Sequence, residues 1–123
     1  GIITSGFGYR RNPFGWGSAF HEGVDIAAAY GSPIRATGDG RVVFSGWKGN
    51  YGKTIIINHG YGFSTLYGHN SKNLVSVGQQ VKRGQVIGYV GSSGRSTGPH
   101  VHYEVWVDGK PTNPRRYLSR GEY

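Results

Sequence analysis

Glycine interrupts this chain from end to end, and no other feature restricts its fold so strongly. The 23 glycines among 123 residues far exceed the roughly 7% usual in proteins, and they fall between β-branched and aromatic runs instead of gathering into a linker. Glycine spread in that way marks tight turns between short strands. Gly40 to Ser45 and Thr54 to His59 read as strands, the second a nearly continuous apolar run suited to burial. Phe63 to Tyr67 returns beside it after the His59-Gly60-Tyr61-Gly62 turn. Gly38-Asp39-Gly40 and Asp108-Gly109 have the composition of hairpin turns, and Val81 to Val90 reads as strands joined by a turn. Only Asn73 to Val75 could turn helical. The fold class that follows is all-β, of antiparallel sheets with few or no helices.

One strand of this set carries chemistry. In His100 to Val107 successive side chains point to opposite faces, so His100, His102, Glu104 and Trp106 share one face while Val101, Tyr103, Val105 and Val107 line the other. The second set reads as a core face. Two imidazoles side by side at the mouth of a Gly/Ser-rich loop suit a metal site, although His-x-His is a short motif that a polar edge strand could also show. Composition narrows the metal. There is no cysteine, so disulfides and thiolate ligands are excluded, and any zinc must be held by histidine and carboxylate.

The candidates are the five histidines, His21, His59, His69, His100 and His102, beside only six acidic residues. A catalytic zinc keeps three protein ligands and one open position. Asp25 is the best acid, because it lies four residues from His21 and shares a face with it in helix or strand alike. His21, Asp25 and His102 then form a ligand set. His69 and His100 are left free to act on a substrate, one as a base and one as a stabiliser or acid, in an order the residues leave open. His59 sits beside a turn and reads as structural. Glu22 reads as solvated, and Glu104 as a partner for a ligand histidine. The loop Gly91 to Gly98 fits neither common phosphate-binding pattern.

These motifs resemble a known family. His21-x-x-x-Asp25, Tyr67-Gly68-His69 and Gly98-Pro99-His100-Val101-His102-Tyr103-Glu104 are similar, in order and approximate spacing, to the three signatures of the lysostaphin-type zinc metallopeptidases, which cut peptide cross-bridges in bacterial peptidoglycan. Gly78 to Gly88 resembles the turn-rich hairpin of that fold, which is related to biotinyl and lipoyl carrier modules. The resemblance runs from about Ser5 to Leu118. It implies a lysostaphin-like, duplicated-hybrid-motif fold, one Zn2+ per chain held by His21, Asp25 and His102, and His69 with His100 as the catalytic pair. Gly68-His69-Asn70 stands where Ala-His-Leu is commoner, which touches flanking packing only. Gly6-Phe7-Gly8-Tyr9-Arg10-Arg11 and Arg35-Ala36-Thr37-Gly38-Asp39-Gly40 look closer to the Gram-negative envelope endopeptidases, which cut D-alanyl–diaminopimelate cross-links, than to glycyl-glycine hydrolases.

The expectation is therefore a single metallopeptidase domain over residues 1–123, the C-terminal catalytic part of a longer chain with a possible regulatory domain upstream. It is expected to work in the periplasm or cell envelope on peptidoglycan. The formal charge of +8 predicts attraction to a polyanion, and envelope carboxylates and phosphates supply one; no nucleic-acid motif accompanies the charge. No apolar run approaches the roughly 20 residues that cross a bilayer. The competing expectation is a cell-wall-binding or regulatory module with the fold but without the chemistry, against which the five filled positions argue.

Overall fold

The computed structural model describes residues 2–5, 8–11, 18–21, 23–96 and 98–114, the first three stretches by backbone alone. In chain order the strands are β1 (Ile2–Ser5), β2 (Gly8–Arg11), β3 (Ser18–His21), β4 (Val24–Ala27), β5 (Pro33–Arg35), β6 (Gly40–Trp47), β7 (Lys53–Gly60), β8 (Phe63–Asn73), β9 (Gln80–Val81), β10 (Val86–Val90), β11 (His100–Val107) and β12 (Lys110–Thr112). A short 3₁₀ turn, Gly49–Tyr51, lies between β6 and β7. The all-β, antiparallel expectation holds. No helix among these residues is long and apolar enough to cross a membrane.

The main sheet runs β1-β4-β11-β8-β7-β6-β9, with β12 on β11 and with β10 pairing both β5 and β8; β2 and β3 form a separate pair. Two hairpin turns tighten it. Tyr61-Gly62 (φ 53° and 82°) joins β7 to β8, and Asp108-Gly109 (φ 50° and 79°) joins β11 to β12, each with the two positive φ angles that match the twist of paired strands. The tips touch, Asp108 N–H donating to Gly62 O at 2.9 Å.

Period-two patterning sorts β11 as its sequence implies. Val101, Tyr103 and Val105 are 8%, 2% and 1% exposed and join Val24, Ile57 and Tyr67 in the core. The opposite face is covered too, with His102 at 5% and Glu104 at 0%. Phe44, Ile56, Leu66 and Glu104 lie in register across β6, β7, β8 and β11, which makes a largely apolar floor beside the histidines.

Two local expectations fail. Gly38-Asp39-Gly40 connects β5 to β6 but makes no hairpin, because β5 pairs with β10 while β6 pairs with β7 and β9. Asn73 to Val75 is not helical: Asn73 ends β8, and Leu74 N–H donates to Ile87 O at 2.8 Å, so pairing with the distant β10 segment overrides a weak local preference. The basic side chains of Arg10, Arg11, Arg115, Arg116 and Arg120 lie outside the described residues.

Candidate active site

Strand register brings the site together. β4 and β11 pair so that His102 faces Asp25 and His100 faces Ala27, and directly opposed side chains in such a pair start only about 5 Å apart. Asp25 Oδ1 lies 2.9 Å from His102 Nδ1 and 3.5 Å from His100 Nε2. On the other flank β8 sets Gly68 opposite His102. The next residue, His69, is 6% exposed, and its ring centroid lies 4.7 Å from that of His100 and 6.1 Å from that of His102. Residues far apart in sequence thus meet across three adjacent strands.

His69 reaches this position through an unusual backbone. Its φ is 64°, a left-handed conformation that non-glycine residues seldom adopt. The β7–β8 register slips between Lys53 and Ile55, opposite Tyr67 to Asn70, and past the slip β8 turns to pair with β10. Such irregularities re-aim a side chain next to a site.

One loop orients both free imidazoles. His69 Nδ1–H donates to Ser93 O at 2.7 Å, and His100 Nδ1–H donates to Gly98 O at 2.8 Å. A carbonyl can only accept, so each neutral ring carries its proton on Nδ1 and leaves Nε2 as an acceptor. Burial pushes the His69 pKa below its ordinary value of 6.5, against the opposing pull of the Ser93 hydrogen bond, so His69 is mostly neutral at pH 7. The loop itself is tied down by Ser93 Oγ, which donates to Asn70 O at 2.6 Å and accepts from Lys53 N–H at 3.0 Å. It packs backbone to backbone on residues 50–52. Gly52 (φ 66°) and Gly94 (φ 73°) leave no room for a Cβ, which would fall 2.4 Å from Ser93 C and from Gly52 N respectively.

Behind His102 stands a buried carboxylate. Glu104 Oε2 accepts from Tyr51 O–H at 2.6 Å and from His102 Nε2–H at 2.7 Å, and Oε1 accepts from Trp106 Nε1–H at 2.7 Å. Burial opposes ionisation of Glu104, but these donors outweigh it and hold the carboxyl below its ordinary range. For His102, burial works against the charged ring, and the Asp25 and Glu104 carboxylates overcome it and raise its pKa to about 9. Tyr51 also stacks on the His102 ring, with centroids 5.1 Å apart and planes at 20°.

Asp25 and His102 fit a cation. An oxygen and a nitrogen converge at 2.9 Å while the far nitrogen of His102 is held by a carboxylate, the outer support that metal-bound imidazoles usually have. His21, the third ligand expected from sequence, ends β3 with its backbone opposite Gly8; its side chain, and all of Glu22, lie outside the described residues. Among the described residues no three His, Asp or Glu side chains lie close enough together to hold a metal ion. Asp25, His69, His100 and His102 are brought together, and His59 is not: its ring bonds Asp39 O at 2.7 Å and Thr65 Oγ1 at 2.6 Å, beside a separate hollow of about 280 Å³. Tyr51 and the Ser93 and Gly98 carbonyls give no sequence signal, since one comes from an aperiodic loop and the others are backbone atoms. Trp106 shares the histidine face and was legible by its period. A groove of about 480 Å³ adjoins the cluster, lined by Lys48, Tyr51, Ile56, Leu66, Glu104 and Trp106 among others.

Known proteins share this chain's sequence pattern and fold. Residues 19–114 match the sequence pattern of peptidase family M23. The chain is 46% identical over 115 residues to the peptidoglycan DD-endopeptidase ShyA of Vibrio cholerae, covering 90% of this chain and 26% of that protein. It therefore spans about a quarter of the length of the curated relatives it matches. A zinc-containing peptidase structure from Vibrio cholerae superposes with a TM-score of 0.86 at 42% identity, over 90% of this chain and 35% of that one. The catalytic domain of the antimicrobial peptidase lysostaphin from Staphylococcus simulans superposes with a TM-score of 0.82 at 35% identity, over 94% of this chain and 91% of that one.

Proposed function

The chain belongs to peptidase family M23, and from that premise we propose that it is a zinc-dependent endopeptidase hydrolysing peptide cross-bridges of bacterial peptidoglycan in the cell envelope. The observation that carries this reading is the meeting of Asp25, His102, His100 and His69 across β4, β11 and β8, with a groove alongside. The bond is the D-alanyl–diaminopimelate cross-link, in keeping with the DD-endopeptidase name of the Vibrio relative and with the Arg35 to Gly40 motif. Residues 1–123 act as one metallopeptidase domain.

His21, Asp25 and His102 would hold one zinc ion. When bound, zinc supplies Lewis acidity to a peptide carbonyl and makes water acidic enough to ionise near neutral pH. The chain's own residues do the rest. His69, neutral at pH 7 and with Nε2 left as its acceptor, takes the proton from the attacking water. His100, its Nδ1–H fixed on Gly98 O, turns Nε2 toward Asp25 and suits contact with the developing oxyanion or the leaving amine. The groove receives the peptide.

The test uses purified sacculi. Clearing that stops with a chelator and returns with zinc is the expected result, and mass spectrometry of the released muropeptides names the bond from its new termini. Binding without release of any muropeptide would instead identify a non-catalytic wall-binding module.

A further inference from the structure

We infer that Glu104 is a positioning residue: its buried carboxylate fixes which nitrogen of His102 is offered to the metal and ties that ligand to the wall of the groove. This rests on the reading of His102 as a ligand. Glu104 is 0% exposed, and both of its oxygens are committed. The indole Nε1–H of Trp106 can only donate, and an ionised carboxylate can only accept. With Oε1 taken by Trp106 and Oε2 by Tyr51, the nitrogen of His102 that lies 2.7 Å from Oε2 must carry a proton. That leaves Nδ1, the nitrogen 2.9 Å from Asp25 Oδ1, as the one that gives up its proton and binds a cation. The Tyr51 ring, stacked on His102 at 5.1 Å, keeps the imidazole from turning over.

The site is more than a satisfied core acid, because its other two donors face elsewhere. Tyr51 and Trp106 line the groove, so one carboxylate joins the groove wall to the ligand. An amide in its place, as in Glu104→Gln, breaks this. If the amide nitrogen faced His102, two donors would meet and the ring would prefer its proton on Nδ1, the wrong nitrogen for a metal. If that nitrogen faced Trp106, the indole N–H would lose its acceptor.

Zinc alone is titrated into metal-free wild type, Glu104→Gln and His102→Ala in competition with a chromophoric chelator, and imidazole ¹⁵N spectra of the loaded proteins report the His102 proton. Glu104→Gln is expected to bind zinc about 10- to 100-fold more weakly and to lose the wild-type Nε2–H signature. Wild-type affinity and signature in Glu104→Gln, with zinc lost in His102→Ala, overturn the positioning role and leave the ligand reading intact. Wild-type affinity in His102→Ala overturns the ligand reading itself. Should Glu104→Gln fail to fold, Tyr51→Phe, at a half-buried position, replaces it; weakened zinc binding is expected, and unchanged affinity overturns the proposal.

Discussion

His69 shows how much one residue's surroundings decide. It keeps a left-handed backbone, is nearly buried, and commits Nδ1–H to Ser93 O, so its remaining nitrogen is an acceptor. The roles proposed for the four described residues separate under mutation. His69→Ala and His100→Ala should retain zinc while turnover falls by about 10²- to 10⁴-fold, the usual worth of general acid–base catalysis; Asp25→Ala should lose zinc, read by elemental analysis. Full activity in both histidine variants would sink their assignment. A pH prediction follows from burial. Because the folded pKa of His69 lies below 6.5, the unfolded chain binds the extra proton first, and stability from this group is present above pH 6.5 and lost as pH falls through the folded value. A ¹⁵N titration of the metal-free protein should place the His69 midpoint below 6.5, and a midpoint above 6.5 would refute the burial argument. The histidines were legible in the sequence, since metal and acid–base chemistry use few residue types. The carbonyls that orient them were not, because any residue supplies one.

At the scale of elements, β11 was readable and its neighbours were less so. Period two tells which side chains share a face, and that rule is local; it placed His102 and Glu104 on one side and Tyr103 on the other without knowledge of any partner strand. Pairing is not local. Nothing in Pro33 to Arg35 announces that it will join the distant β10, and so the Gly38-Asp39-Gly40 turn has the look of a hairpin without being one. The loops over the site depend equally on distant contact. Gly52 and Gly94 come from well-separated segments, yet each needs the other to lack a side chain. Gly52→Ala should therefore combine a strained positive φ with a backbone clash and destabilise the fold by at least about 1 kcal/mol. For a domain of this size that is a fall in Tm of several degrees. Because Ser93 O, which orients His69, lies in the displaced loop, turnover should fall as well. An unchanged Tm in a thermal melt would show that the two loops are not packed as described.

Across the whole molecule, charge and architecture divide the work. The fold sets His102 against Tyr51 and Glu104 of the groove wall, whereas the formal charge of +8 acts at longer range on whatever approaches. Peptidoglycan is an anionic polymer held in an anionic envelope, so attraction should raise local encounter without touching the chemical step. Exposed charges separated by more than the Debye length, about 10 Å at 0.1 M salt and about 3 Å at 1 M, stop acting together as salt rises. Raising ionic strength through that range should increase KM for sacculi while leaving kcat nearly constant, since Asp25, His69, His100 and His102 are held by short contacts that salt screens little. A soluble, uncharged cross-linked peptide should show almost no salt effect on KM. Equal salt sensitivity for both substrates would mean that ionic strength acts on the site and not on the approach to it, and the basic surface would then have no part in capturing the wall.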